Sequence, residues 1–397
     1  MCGLCQAEEW PTFRRDSLQT GYSQDAGPER PDIAWSAEIE HCTVHLTVSE
    51  YIAYVVSGEY VYAINVFNGS RIWTVKMDGN VSPVTVYGGD IYFGTAKGTI
   101  HCLKGKTGSL NWSSSVSGGV YDAPLIANGR IYLIAGTNVY SIYPSTGQKI
   151  WERSLEDTVT GLSADSNSAV VVTESGCVWN FDPNGGILWK VATGEEIIHA
   201  PSISDGLIYV SAGNRLIVID NGAVAENLEF GSKVGPVSVG PDTAYFGCEN
   251  GSVVAITKNT FEERWNYVTG GKILSPPAIG KNRMYVVSGD GCLYCISAEN
   301  GGLIWKSRLG LKENSYPVIA YLKIFVFSGN SVYCIGSWGS VPNGALTNGL
   351  IYLIISMCFF ASIFALRKLS PEEKPDKKRK AVRKHVRKKR SGKKHSR

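Results

Sequence analysis

Cys292 and Cys295 form a Cys-x-x-Cys sequence, a spacing at which two thiolates can ligate a metal ion or form a redox-active pair. The residues around them are typical of a β-strand, where side chains three positions apart point to opposite faces of the sheet. That geometry separates the two thiols. We therefore predict neither a metal site nor a redox site at these cysteines.

The other residues with chemical potential form no pattern that is typical of an active site. The sequence contains no phosphate-binding loop of the P-loop type and no recognisable Ser/His/Asp arrangement. Cys102, Cys295 and Cys334 share one repeat position with Ala63 and Ser141, which indicates packing of a small side chain. We predict a non-enzymatic protein that binds no cofactor and no metal ion, and that acts by binding another molecule.

The elements that position any binding residues are predicted to be short β-strands. The 397 residues include 44 Gly, 20 Tyr and 10 Trp, and only 19% of them are charged. Many glycines with many aromatic residues are typical of short strands joined by tight turns. Composition therefore favours an all-β fold.

Tryptophan recurs along the chain at a nearly constant interval of 38 to 40 residues, with one double interval in which Leu228 takes its place. A period of this length accommodates the four strands of one propeller blade. The repeat tryptophans are Trp35, Trp73, Trp112, Trp151, Trp189, Trp265 and Trp305. We predict that each indole packs against the neighbouring blade and donates its N–H to a carbonyl there.

The distance from a small residue in the third strand to the repeat tryptophan is ten residues in five blades, as from Ala63 to Trp73. The turn between them contains Asn-Gly or Thr-Gly, as in Ala63-Ile-Asn-Val-Phe-Asn-Gly-Ser-Arg-Ile-Trp73. This pattern resembles the tryptophan-docking motif of the PQQ-like, or quinoprotein-type, β-propeller repeats. The opening segment from Trp10 to Gly21 resembles the segment that commonly precedes the first repeat of that family.

The resemblance covers residues 10–336 and implies a β-propeller similar to the non-enzymatic BamB-like members. The chain departs from the pattern at Leu228, where Trp is missing, and at Phe261, where the turn Gly is missing. Seven full repeats and an incomplete eighth follow one another, and the strand around Trp35 has no blade of its own. We therefore predict an eight-bladed propeller over residues 32–338, closed by that N-terminal strand, with seven blades as the alternative.

The remaining segments are assigned from polarity. Residues 8–31 form a lead segment, and residues 1–7 resemble the end of a signal peptide, or are simply a short start. Residues 346–366 carry no charge and are long enough for a transmembrane α-helix. Residues 367–397 form a basic disordered tail with 16 Lys/Arg against 3 Asp/Glu.

The tail is predicted to lie in the cytoplasm, because basic residues next to a membrane helix stay on that side. The propeller then lies on the extracytoplasmic side of a single-pass membrane protein. The tail is expected to contact anionic lipid rather than nucleic acid. Its most basic positions are Lys377, Lys378, Arg379, Lys380, Arg387, Lys388, Lys389 and Arg390.

The predicted function is a membrane-anchored, non-catalytic scaffold that binds an extracytoplasmic protein, peptide or glycan. One alternative is a quinone-dependent dehydrogenase, although the resemblance then implies calcium ligands, a catalytic Asp and two adjacent cysteines, and the sequence has no adjacent cysteine pair. Another is a tail-anchored protein whose basic tail binds an acidic cytoplasmic partner. The candidate binding face consists of loop residues that precede the inner strands: His41, Asn80, Tyr121, Asp122, His199, Lys272 and Tyr316.

Overall fold

The computed structural model describes residues 8–40, 45–312 and 315–337. Within these ranges the chain forms eight antiparallel four-stranded sheets, each of them one blade. Neighbouring inner strands contact one another all the way round, including the inner strands of the first and last blades. The prediction of an all-β, eight-bladed propeller is confirmed, and the seven-bladed alternative is wrong.

Seven blades are built from four consecutive strands that run from the inner strand outward. The first three consist of β2 (His45–Ser49), β3 (Ile52–Ser57), β4 (Tyr60–Asn65) and β5 (Arg71–Lys76); β6 (Thr85–Tyr87), β7 (Asp90–Gly94), β8 (Thr99–Lys104) and β9 (Leu110–Ser115); and β10 (Leu125–Ala127), β11 (Arg130–Ala135), β12 (Asn138–Ile142) and β13 (Lys149–Ser154).

The next four follow the same order. They consist of β14 (Val159–Ala164), β15 (Ala169–Thr173), β16 (Cys177–Phe181) and β17 (Ile187–Ala192); β18 (Ser202–Ser204), β19 (Leu207–Ala212), β20 (Arg215–Asp220) and β21 (Ala223–Glu229); β22 (Ser238–Val239), β23 (Thr243–Gly247), β24 (Ser252–Thr257) and β25 (Glu263–Val268); and β26 (Ala278–Ile279), β27 (Arg283–Val287), β28 (Cys292–Ser297) and β29 (Leu303–Arg308).

The eighth blade joins the two ends of the propeller. Its inner three strands are β30 (Val318–Ala320), β31 (Lys323–Ser328) and β32 (Ser331–Ile335), and its outer strand is β1 (Ile33–Glu38). Trp35 of β1 pairs with Cys334 of β32. The N-terminal strand thus completes the last blade, as its unpaired tryptophan predicted, and no blade is left with three strands.

The predicted transmembrane segment (346–366), the basic tail (367–397) and residues 1–7 lie outside the described residues, as does His41. Across the described parts of the chain, no helix is long and apolar enough to span a bilayer.

Each repeat tryptophan lies opposite a small residue for a steric reason. In the first blade, Ala63 pairs directly with Trp73 on one side and with Tyr54 on the other. The Tyr54 and Trp73 rings approach to 6.1 Å between centroids across that small side chain. The same position opposite a tryptophan is taken by Cys102, Ser141, Asn180, Ala255, Cys295 and Cys334. Packing between two aromatic rings therefore accounts for the recurrent cysteines.

The tryptophans also join neighbouring blades. Trp151 donates its indole N–H to the Pro183 carbonyl of the following blade at 2.8 Å. Its ring lies against the turn glycine of that blade, because a Cβ on Gly185 would stand 2.8 Å from the indole. Four others make the equivalent bond at 2.8–3.1 Å: Trp35 to Val66, Trp73 to Gly105, Trp112 to Pro144 and Trp265 to Ala298. Each contact buries one indole between two blades.

Leu228 and Phe261, the two departures from the repeat pattern, belong to the same blade interface. Leu228 takes the tryptophan position in β21, and Phe261 takes the turn-glycine position of the next blade with φ +55°. Both side chains pack against one apolar cluster that includes Phe246. At this interface the aromatic ring belongs to the turn residue Phe261 instead of to the strand, where Leu228 stands in place of tryptophan.

We expect Gly185→Ala to destabilise the fold more than Gly206→Ala. Both glycines have nearly the same φ, +81° and +80°, so both substitutions cost about 1–2 kcal/mol in backbone strain. Gly206 faces open space, whereas a methyl group on Gly185 must displace Trp151. The additional cost of overpacking is about 1–3 kcal/mol. Chemical denaturation measures both variants, and equal losses of stability would contradict the docking role of the tryptophan.

We also expect Leu228→Trp and Phe261→Gly to compensate for each other. The first substitution alone places a second large ring at a filled interface, and the second alone leaves a cavity there. Together they restore the arrangement of the other blades. A double-mutant cycle should give a favourable coupling of at least about 1 kcal/mol. Additive effects would mean that the two residues do not share an interface.

Candidate functional site in the central channel

The N-terminal segment, residues 8–28, crosses one end of the central channel and is called the floor segment here. Its main chain hydrogen-bonds to the ends of inner strands in six blades: Trp10 to Val48, Pro11 to Val86, Ser17 to Ala164, Leu18 to Ile203, Thr20 to Val239 and Gly21 to Ile279. Since all these strands end on the same side of the ring, the segment closes that side, which we call the floor face. The opposite side, where the inner strands begin, is the mouth face.

Arg14 anchors the floor segment to the fifth and sixth blades. Its side chain is 2% exposed, and it donates hydrogen bonds to the Ala200 carbonyl at 3.0 Å, to Ser202 Oγ at 2.6 Å and to the Val237 carbonyl. Burial lowers the pKa of the guanidinium to about 9, and the charge of nearby Asp16 opposes that shift. Arg14 therefore remains a cation at neutral pH.

A cavity of about 280 Å³ lies on the mouth side of the floor segment. Phe13, Arg14 and Gln19 contribute to its lining from the floor segment. The polar wall residues come from the blades: His45, Asp122, Thr160, His199, Ser275 and Tyr316. Apolar wall residues between them include Leu125, Leu162, Ile198 and Leu274. The site thus joins residues that are up to three hundred positions apart in sequence.

The two histidines of the cavity are held neutral. Burial lowers the pKa of His45 to about 4, and it lowers that of His199 to about 4 with help from the Arg14 charge. The Tyr316 hydroxyl lies 3.4 Å from His45 Nδ1 and accepts a hydrogen bond from the Leu46 N–H at 3.0 Å. Burial raises the pKa of the Tyr316 phenol. These side chains therefore offer neutral donors and acceptors at pH 7.

Asp122 is the acidic group in the cavity wall formed by the described residues. Its side chain contacts cavity solvent, but the protein atoms around it remove much of its hydration and raise the pKa of the carboxyl to about 6. It is therefore mostly ionised at pH 7 and mostly neutral at pH 5. The net charge of the cavity therefore becomes more positive as the pH falls from 7 to 5.

The predicted binding-face residues fall into two groups. Asp122, His199 and Tyr316 meet in the cavity. Asn80, Tyr121 and Lys272 lie in exposed stretches that lead into the inner strands of the second, third and seventh blades, on the mouth face. Among the described residues of the prediction, the ring therefore brings three side chains together and leaves three on the rim.

The contribution of the floor segment was missed. Phe13, Arg14 and Gln19 stand before the first repeat, where a family resemblance suggests a lead segment but says nothing about its path. Ser275 and His45 were also missed, although Ser275 directly precedes the Pro-Pro pair that leads into β26. A systematic alignment of the positions before each inner strand would have found Ser275, but not Arg14.

Cys292 and Cys295 lie on opposite faces of β28, in two different apolar clusters. Burial raises the pKa of both thiols, that of Cys295 to about 12. Both therefore stay protonated at neutral pH, which makes them poor metal ligands and poor nucleophiles.

A calcium-dependent quinone cofactor does not fit the described residues. Calcium takes six to eight oxygen ligands, usually with several carboxylates. In residues 8–40, 45–312 and 315–337, no three His, Cys, Asp or Glu side chains converge as a metal site would require. The cavity wall offers the single carboxylate of Asp122, so we derive no quinone chemistry for this chain.

The sequence is similar to several bacterial proteins. A family model described as outer membrane protein assembly factor BamB matches residues 57–143, 135–270 and 221–337, which together exceed half of the chain. The BamB protein of Burkholderia pseudomallei is 28% identical over 244 residues, which cover 52% of this chain and 62% of that protein. The chain thus spans about three fifths of the first curated relatives that it matches.

Two solved structures share the fold. The crystal structure of BamB from Moraxella catarrhalis superimposes with a TM-score of 0.64 at 16% identity, covering 78% of this chain and 98% of that one. Quinohemoprotein alcohol dehydrogenase from Comamonas testosteroni gives a TM-score of 0.68 at 15% identity, covering 83% and 81%. At such identities the likeness concerns the propeller alone.

Proposed function

Because the chain belongs to the family of the outer membrane protein assembly factor BamB, we propose that it is a non-catalytic scaffold that binds a protein partner on its mouth face. The observation that carries this proposal is the difference between the two faces of the ring. The floor face is closed by residues 8–28, whereas the mouth face leads into a cavity lined by seven of the eight blades.

Exposed apolar side chains surround the cavity entrance. Tyr121 is 67% exposed and Ile198 is 54% exposed, and each directly precedes a residue of the cavity wall, Asp122 and His199. Protein interfaces are typically centred on aromatic and aliphatic side chains of this kind, with polar residues at the rim. The mouth face therefore has the composition of a protein-binding surface.

Both ends of the described propeller lie on the floor face. The Glu8 carbonyl accepts a hydrogen bond from the Tyr321 N–H, and Lys323 donates to the Ser337 carbonyl at 3.2 Å. Tyr321 and Lys323 belong to the hairpin between β30 and β31, which turns at the floor face. Both described ends therefore lie on the face opposite the mouth.

We further propose that the protein is membrane-anchored, with the propeller on the extracytoplasmic side and the basic tail on anionic lipid in the cytoplasm. The support is the uncharged sequence 346–366 followed by dense Lys/Arg, together with the membrane association in the names of the BamB relatives. This arrangement agrees with a partner in the extracytoplasmic space.

Cross-linking tests the partner surface. A photoreactive amino acid at position 121 or 198 should cross-link one defined partner in intact cells, because both side chains flank the cavity entrance. Position 143 is the matched control, since Tyr143 belongs to the same blade as Tyr121 and is 49% exposed, but lies at a floor-face turn. Equal cross-linking at positions 121 and 143, or cross-linking at position 143 alone, would contradict a mouth-face partner.

Protease treatment of intact spheroplasts tests the topology separately. We expect a protease added from outside to cleave the propeller and to leave an epitope at the C-terminus protected, because the basic tail is retained in the cytoplasm. Lysis of the same cells is the control, in which the tail epitope must be lost as well. Loss of the tail epitope with an intact propeller in unlysed cells would reverse the topology.

A further inference from the structure

Three residues that line the central cavity each carry a buried polar atom without a hydrogen-bond partner among the described residues: Arg14 Nε, Gln19 Oε1 and Ser275 Oγ. These residues are buried, with 2%, 2% and 5% of the surface exposed. Buried polar groups in proteins are nearly always paired, because leaving one unpaired costs stability. The presence of three such groups around one cavity indicates a binding site for a ligand with polar groups.

Arg14 makes the floor end of the cavity positive, and the Asp122 carboxylate in the wall opposes that charge at pH 7. Arg14 bonds to two carbonyls and one hydroxyl, but within the described residues no carboxylate lies within ion-pair distance of it. A cation surrounded by low-dielectric protein and opening on a cavity attracts anions. The neutral histidines His45 and His199 add hydrogen-bonding capacity without opposing that charge.

The shape of the cavity restricts the rest of the ligand. Its volume of about 280 Å³ suits a small ligand or the end of a larger one. Phe13, Leu162 and Leu274 supply apolar surface for a short hydrocarbon group. Arg14 Nε needs an acceptor, whereas Gln19 Oε1 needs a donor, so the ligand must carry both.

We infer that the central cavity binds the carboxylate of a small organic acid that also carries an N–H donor and an apolar side group. An N-acylated amino acid has this chemistry, and so does the C-terminal residue of a polypeptide. Arg14 contacts the carboxylate, Gln19 accepts the N–H, and the leucines surround the side group. This site goes beyond the proposed scaffold function, which requires the rim of the mouth face and not the cavity.

Calorimetry on the full chain in detergent tests the inference with N-acetylleucine and N-acetylleucinamide as probes. We expect saturable binding of the acid with one site per chain. The amide should bind about tenfold more weakly or worse, since it lacks the charge that Arg14 recognises. Equal affinities for acid and amide, or no binding of either, would overturn the proposal.

A short peptide that ends in leucine, with a free or an amidated C-terminus, distinguishes the two sources of the carboxylate. Tighter binding of the free peptide than of N-acetylleucine identifies the end of a polypeptide as the ligand. Binding of N-acetylleucine without binding of the peptide identifies a free small acid. Either result supports the carboxylate site.

Asp122→Asn locates the site without disturbing the core, because the Asp122 side chain is exposed to cavity solvent. Removing the wall charge should raise the affinity for N-acetylleucine severalfold at pH 7 and should leave the affinity for the amide unchanged. Asp242→Asn is the matched control, since Asp242 is an exposed carboxylate at a floor-face turn. Equal effects of the two substitutions would show that the acid binds elsewhere.

Arg14→Gln should abolish acid binding, provided that its melting curve shows a folded ring. The cross-linking of a partner at position 121 is independent of all these results. A propeller that cross-links its partner but does not bind the acid would refute the carboxylate site and leave the scaffold function standing.

Discussion

In six of the eight blades an indole ring docks on the turn glycine of the next blade, and the rest of this structure depends on this interaction. A four-stranded sheet of this size buries too little apolar surface to be stable alone. Its fourth strand therefore presents a tryptophan that lies on the turn of the next blade, as Trp151 does on Gly185. Because the ring docks on the main chain of a tight turn, the turn must have a fixed length and a residue that tolerates positive φ. The spacing of the repeat is a consequence of this contact.

Ring closure adds a second constraint, since repeated contacts between neighbours do not by themselves decide where the ring ends. Two N-terminal elements close the ring after the eighth blade. Strand β1 completes the eighth blade, and residues 8–28 cross the channel and bond to six inner strands. Both elements pair residues that are far apart in sequence, so the loop-closure entropy is large and these contacts are expected to form late in folding. These contacts close the ring and give every blade its fourth strand.

The floor segment also gives the channel its chemistry. The blades contribute wall residues such as His45, Asp122 and His199, and the floor segment adds Arg14 and Gln19 next to them. A symmetrical scaffold thereby acquires one asymmetric, charged site. The same arrangement explains why burial lowers the pKa of Arg14 and of His199 together: both lie where the blades converge and water is largely excluded.

The sequence by itself determined the four-stranded blade, the period of the repeat and the closure of the ring by the strand around Trp35. These features depend on local residue spacing and on the alternation of side chains along each strand. It also predicted that Asp122, His199 and Tyr316 lie near one another, since each precedes an inner strand, and all three line the cavity. Only the tertiary structure brought Leu228 and Phe261 to one apolar cluster, because residues 33 positions apart meet only after the blades assemble. Only the tertiary structure likewise showed that Arg14 lines the central cavity. No periodic pattern marks a segment that crosses a channel, and its neighbours are set by hydrogen bonds to blades that lie up to about 310 residues away along the chain.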